Sequence, residues 1–175
     1  MPYLDLIFIP IFALYVYWIW GLLRALSSDA PYVPIRHEVL QRMLAMASPK
    51  PDAVWVDLGS GDGRILIEAC RTFPTIRGVG IERIRPLRWY ARLNILIAGL
   101  SRRLTIRGGD FFTADLSGAD IVSFYLLPET NKRLISKLQK ELKPGAQVIF
   151  HRHPVPGLQL AAEDTDYRIY TYIVL

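Results

Sequence analysis

Trp55-Val56-Asp57-Leu58-Gly59-Ser60-Gly61-Asp62-Gly63-Arg64 joins an apolar run, Ala53 to Val56, to a helix-like segment, Ile65-Leu66-Ile67-Glu68-Ala69. The run ends in an acid, and three glycines follow at alternate positions. A strand that turns at once into a helix sets that helix's unpaired N–H groups beside the turn, where an anionic group can be held. Glycine permits positive φ and carries no Cβ, so a ligand can lie on the backbone itself. Two readings are open here: an ordinary tight strand-to-helix turn, or a cradle for a nucleotide cofactor.

The spacing decides which cofactor such a cradle would take. A dinucleotide fingerprint runs G-x-G-x-x-G, with the third glycine where helix and strand pack closely. Counted from Gly59 and Gly61, that position is Arg64, and the pattern G-x-x-x-x-G-K-[ST] is absent as well. Acid-x-G-x-G-x-G suits a ligand bearing an amino acid. Asp57 can attract an ammonium while helix N-terminal amides meet a carboxylate. S-adenosylmethionine has both groups and a sulfonium besides.

Downstream, strand-like and helix-like runs alternate, which predicts a parallel sheet covered on both faces. Gly78 to Glu82 reads as a second strand ending in an acid about twenty residues beyond the loop, where dinucleotide-type folds bind ribose hydroxyls. Pro86 opens a helix to Ala98, and Gly99 stops it. Leu104 to Arg107 is a third strand, followed by Gly108-Gly109-Asp110-Phe111-Phe112. Asp110 there can accept from an adenine amino group, and Phe111 can contact the ring face. Ala119 to Tyr125, a helix over 128–142, Gln147 to Phe150 and a C-terminal hairpin (158–162 and 167–174) complete the chain. Ahead of the loop, Ile35 to Ala47 has helical periodicity. Asp57, Glu82, Asp110 and Tyr125 all fall at or near strand carboxyl ends, where ligands bind in such sheets.

The 175-residue length favours one domain. Its single cysteine, Cys70, excludes a disulfide framework and is expected in the core. Half of the residues are hydrophobic and the mean hydropathy is +0.22, which calls for a membrane explanation. Leu4 to Leu23 supplies one: an almost unbroken apolar and aromatic run with Tyr15, Tyr17, Trp18 and Trp20 toward its far end. It predicts a single transmembrane helix contacting the bilayer through residues 4–23. The cations Arg24, Arg36, Arg42 and Lys50 follow it, so the positive-inside rule places the rest of the chain on the cytoplasmic side. The expected organisation is an anchor over 1–26, a linker over 27–34 and a catalytic domain over 35–175.

The loop, Glu82 and Gly109-Asp110-Phe111-Phe112 together resemble the class I, Rossmann-like S-adenosylmethionine-dependent methyltransferases. Pro31-Tyr32-Val33-Pro34, DLGSGDGR, GDFF, ADIVSFYLLPE and ELKPGAQV are similar to the lysine methyltransferase family of the ATP synthase c-subunit enzyme and its archaeal protein-lysine relatives. The resemblance spans roughly Pro31 to His153. It implies an α/β fold with a seven-stranded, mostly parallel sheet and an antiparallel C-terminal hairpin, behind an N-terminal transmembrane helix. It also implies S-adenosylmethionine as cofactor and lysine of a protein, membrane proteins included, as substrate. By the family's pattern Gly59, Gly61 and Gly63 approach the methionine part, with Asp57 on its amino group. Glu82 holds the ribose, while Asp110 and Phe111 meet the adenine.

Methyl transfer from a sulfonium requires alignment and exclusion of water more than a strong base. Tyr125 and then Glu129 are the candidates for orienting the incoming amine. His151-Arg152-His153 departs from the family's pattern after the fifth strand; with no further ligand set beside it, substrate contact is expected there and no metal. Arg83, Arg85, Arg88 and Arg92 read as a solvated face or a patch for anionic lipid or an acidic substrate. No nucleic-acid-binding module accompanies them, so no nucleic acid is expected. A methyltransferase for a lipid, quinone or other small acceptor, and a non-catalytic cofactor-binding scaffold, remain open as alternatives.

Overall fold

The computed structural model describes residues 2–26, 33–152, 154 and 157–175. Strand β1 (Val54–Leu58) lies inside a seven-stranded sheet, and its alternation sets the layers on either side. Trp55 enters one apolar layer with Met43, Leu44, Leu66 and Ala91. Val56 and Leu58 enter the other, with Phe124, Leu134, Leu138 and Phe150. A strand buried on both faces has to be nearly apolar throughout, as β1 is.

β1 pairs in parallel with β2 (Arg77–Glu82) on one side and β4 (Ile121–Phe124) on the other. β3 (Leu104–Gly108) extends the sheet beyond β2, and β5 (Gln147–His151) extends it beyond β4, both parallel. β7 (Ile169–Ile173) then runs antiparallel to β5, and β6 (Gln159–Asp164) pairs with β7 at the edge. The order β3-β2-β1-β4-β5-β7-β6 is a Rossmann-like mixed sheet, with its switch point between β1 and β4. The C-terminal hairpin expected from sequence is therefore present.

Helices α2 (His37–Ala45), α3 (Arg64–Thr72) and α4 (Arg85–Ile97) supply buried side chains to the layer around Trp55, and α5 (Pro128–Glu141) covers the opposite face. Cys70 is fully buried in α3, as expected of a core residue. Two of the four arginines around the start of α4 are tied to the backbone below them, Arg92 while still exposed. The Arg88 guanidinium donates to the carbonyls of Glu82 and Arg83, and Arg92 donates to that of Ile106, so both tie α4 to the sheet. The outward face of α4 instead exposes Trp89, Leu93, Leu96 and Ile97.

The N-terminal run folds as helix α1 (Pro2–Leu26), whose Gly21 lies against Pro86 at the start of α4 so closely that a Cβ there would collide with the proline ring. The membrane span expected over 4–23 is corrected: among the described residues no helix is long and apolar enough to cross a membrane. The far end of the run is packed on the domain, with Gly21 buried against Pro86 of α4. The single-pass topology, and the cytoplasmic side read from the flanking charges, are withdrawn with the span. Residues 27–32 of the expected linker and His153 lie outside the described residues.

Candidate active site

The site is a cleft of about 1030 Å³, its open mouth included, at the carboxyl ends of β1, β2 and β4. Its floor is the glycine turn. Gly59, Gly61 and Gly63 have φ of +75°, +53° and +80°, a region costly for residues with a Cβ. The turn is pinned from behind: the amides of Gly59 and Ser60 both donate to the Ile81 carbonyl, at 2.9 and 3.1 Å. Gly80 makes that seating possible, since a Cβ there would lie 2.5 Å from Ser60 Oγ.

Two buried carboxylates stand on either side of the turn. Glu82 accepts from the Gly61 amide at 3.0 Å and from the Ile84 amide at 2.7 Å, so it fastens the loop to the exit of β2. Burial pushes its carboxyl up despite those donors. Asp57 is only 1 % exposed, and Ser123 Oγ donates to its Oδ1 at 2.6 Å. Burial raises the Asp57 carboxyl to about 7; the Ser123 hydrogen bond opposes this, and the charges of Glu82 and Asp62 add to it.

Asp62 is the third acid of the cleft, and it is held. Arg64 Nε and Nη2 grip its carboxylate at 2.6 to 3.0 Å, while Arg64 Nη1 reaches the Ile35 carbonyl at 3.2 Å. Val33, Pro34 and Ile35 thereby become one wall of the cleft. Asn94 of α4 donates to the Asp62 carbonyl from the other side.

Of the residues singled out in the sequence, Asp57, Gly59, Gly61, Glu82, Asp110, Phe111 and Tyr125 all line the cleft. Gly63 does not; it caps α3 immediately below. Asp110 is exposed, and its Oδ1 accepts the Phe112 amide. Phe111 lies 4.8 Å from Phe112, over whose ring the Arg133 guanidinium stands at 4.3 Å. Tyr125 is flanked by the His151 ring at 4.8 Å and by the Arg152 guanidinium at 5.8 Å. Glu129 lies outside the cleft, its side chain 80 % exposed and paired with Lys132.

Sequence reasoning missed the wall at 33–35, the Arg64 clamp, Arg133 and the Ser123 donor. Arg64 did stand out, but only as a departure from the dinucleotide spacing. Ser123 gave no local signal, because its partner is 66 residues away across the sheet.

The cleft suits a cationic ligand that carries an amino acid. Its buried end holds Asp57 and Glu82, neither of them in an ion pair among the described residues, beside a glycine floor whose backbone is open to close approach. A match to the ANTKMT methyltransferase domain covers residues 57–162. The chain belongs to that family. It is 37 % identical over 154 residues to a protein-lysine N-methyltransferase of Saccharolobus islandicus, covering 82 % of this chain and 93 % of that one. It is 35 % identical over 171 residues to the adenine nucleotide translocase lysine N-methyltransferase of Mus musculus, covering 91 % and 72 %. A crystal structure described as an RNA methyltransferase from Salinibacter ruber, in complex with S-adenosylhomocysteine, superposes with a TM-score of 0.75 at 38 % identity, covering 81 % of this chain and 94 % of that one. This methyltransferase uses S-adenosylmethionine, as the glycine turn and its acids led the sequence to suggest.

Proposed function

We propose that this chain methylates the ε-amine of lysine in a protein substrate, with Asp57 receiving the cofactor's amino group. The carrying observation is the buried pair Asp57 and Glu82 around the glycine turn, in a chain 37 % identical to a protein-lysine N-methyltransferase. When bound, the cofactor supplies an electrophilic methyl carbon on a sulfonium. The glycine turn, bare of Cβ atoms, and Asp57 would hold its amino-acid end, Glu82 would accept from the ribose hydroxyls, and Asp110 with Phe111 would receive the adenine at the open side. Tyr125 forms the wall where the amine enters. The open mouth beside Tyr125 would let a neutral lysine amine approach that methyl group and its surplus proton pass to water. A lysine brought into this cleft is desolvated next to a sulfonium, which disfavours its charged form and frees the lone pair. Glu129 takes no part, because its carboxylate faces solvent.

A substrate with an apolar segment, such as a membrane protein, is supported by the stripe of Trp89, Leu93, Leu96 and Ile97. It runs along a helix that begins next to Arg83 and Ile84 of the cleft. One observation favours a second reading: the Salinibacter relative is described as an RNA methyltransferase, and this chain carries a net charge of +5. Methyl-labelled cofactor and cell extract separate the two. Label recovered as methyl-lysine after protease digestion supports the proposal. Label that survives protease and is released by ribonuclease overturns it in favour of RNA. Label in the lipid fraction overturns both.

A further inference from the structure

Behind Asp57, and out of reach of any ligand, lies a chain of donors with a fixed direction. β1 and β4 pair in parallel with Asp57 level with Ser123, and Trp55 precedes Asp57 by two residues on the same face. The indole Nε1–H of Trp55 donates to Ser123 Oγ at 2.9 Å, and Ser123 Oγ donates to Asp57 Oδ1 at 2.6 Å. Trp55 and Ser123 are 0 % exposed. An indole nitrogen only donates, so Ser123 must accept from it and has one proton left to give. That proton goes to Asp57. With Asp57 ionised the direction admits no reversal, and the indole is itself held in the core by stacking on Phe73 at 6.3 Å.

We propose that Trp55 and Ser123 are positioning residues for the cofactor's amino group, acting through Asp57. The relay occupies Oδ1, sets the plane of the carboxylate, and leaves Oδ2 as the oxygen available to an ammonium in the cleft. Among the described residues it also supplies the one side-chain donor to the Asp57 anion, against burial and against Glu82 of β2 and Asp62 of the turn. The nearest cation of the turn, Arg64, is committed to Asp62. Hydrogen bonds to charged groups are stronger than neutral ones, and a buried one is the more costly to lose. The proposal rests on the reading of Asp57 as the partner of that amino group.

Calorimetry tests it with two ligands, S-adenosylhomocysteine and 5′-methylthioadenosine, which shares the nucleoside but lacks the amino acid. Ser123→Ala is expected to weaken S-adenosylhomocysteine about tenfold, in keeping with the loss of one hydrogen bond to a charged group, and to leave methylthioadenosine unchanged. The pH at which affinity falls to half should move upward, because the anion has lost its donor. Ser123→Thr, which keeps the hydroxyl, should restore both. Trp55→Phe should act in the same direction by about threefold, since it removes only the outer donor. Equal weakening of both ligands by Ser123→Ala overturns the proposal in favour of a merely structural role, as does an unchanged affinity and pH profile. If Ser123→Ala does not fold, the Trp55→Phe profile decides on the same terms. Asp57→Ala is the separate control: if it leaves S-adenosylhomocysteine affinity intact, the assignment of Asp57 has failed; if it abolishes binding while the relay variants do nothing, the relay alone has failed.

Discussion

The two sides of the cleft are built by different physics. On the side proposed for the cofactor the carboxylates are held by backbone amides or by side chains: Glu82 by Gly61 and Ile84, Asp57 by the buried Ser123, Asp62 by the partly exposed Arg64. The side proposed for the acceptor has Tyr125 near His151 and Arg152, and Phe112 near Arg133. Arg152 there has a φ of +86° without being glycine. The first side is specified by groups that have few alternative partners. The second is an assembly of rings and guanidinium planes, contacts that tolerate exchange at about 0.5 to 1 kcal/mol each where exposed. On the proposed roles the cofactor meets a hydrogen-bonded floor, and the substrate a wall of rings and guanidinium planes.

The largest expected break in this contrast is at Asp57. Asp57→Ala should cost at least about a hundredfold in S-adenosylmethionine affinity, since a buried charge loses its counter-group; a Kd within threefold of the parent would show that the ammonium lies elsewhere. The same residue predicts a pH effect on the ligand-free protein. Its carboxyl titrates at about 7 when folded, against an ordinary 3.8. Between those values the folded state holds a proton that the unfolded chain has lost. Stability is therefore highest at the acid end of the window and declines as pH rises through about 7, by on the order of 3–4 kcal/mol in all. Melting temperature should fall from pH 4 to pH 8. Asp57→Asn should flatten that slope but not abolish it, because burial raises Glu82 as well. A slope equal to the parent's would count against the buried acid as its source.

Glu82→Ala removes a group that holds the loop as well as the ribose, and about a tenfold to fiftyfold weaker cofactor affinity is expected from one or two lost charged hydrogen bonds. Unchanged affinity would refute the ribose role. Tyr125→Ala sharpens the comparison from the other side: kcat for protein methylation should drop about tenfold, a modest misplacement of the acceptor, while cofactor Kd stays within twofold. A change in Kd instead would place Tyr125 on the cofactor side. The smallest effect is expected at Arg64→Ala. Its ion pair with Asp62 is partly exposed and worth little by itself, but loss of the bond to the Ile35 carbonyl frees the 33–35 wall, so about a threefold rise in cofactor Kd is expected from one neutral acceptor lost. Calorimetry on the folded variant reads it directly.

Legibility followed the same division. The glycine turn, Glu82 and Asp110 could be found because their meaning lies in local spacing and in positions at strand ends. Pro86 and Gly99 marked the limits of α4 for the same reason, the latter at φ +71°. The sequence ranked Tyr125 ahead of Glu129 but kept both, because four residues of sequence do not reveal that a helix start turns one side chain to solvent and leaves the other in the cleft. The four arginines around α4 looked equivalent as a run of charges, yet Arg88 and Arg92 end on carbonyls of the sheet. Apolarity also misled over 4–23, where composition records how greasy a segment is and not what it spans.

What the sequence determined by itself was the alternation of strands and helices, the glycine turn and the acids that flank it, because these depend on backbone conformation and on side-chain period within a few residues. What only the tertiary structure decided was which of Asp57's oxygens is spoken for, which arginines are struts, and which segment closes the cleft. Each of those rests on a pair of groups brought together across the sheet, and a hydrogen bond between residues 57 and 123 leaves no trace in the residues around either one.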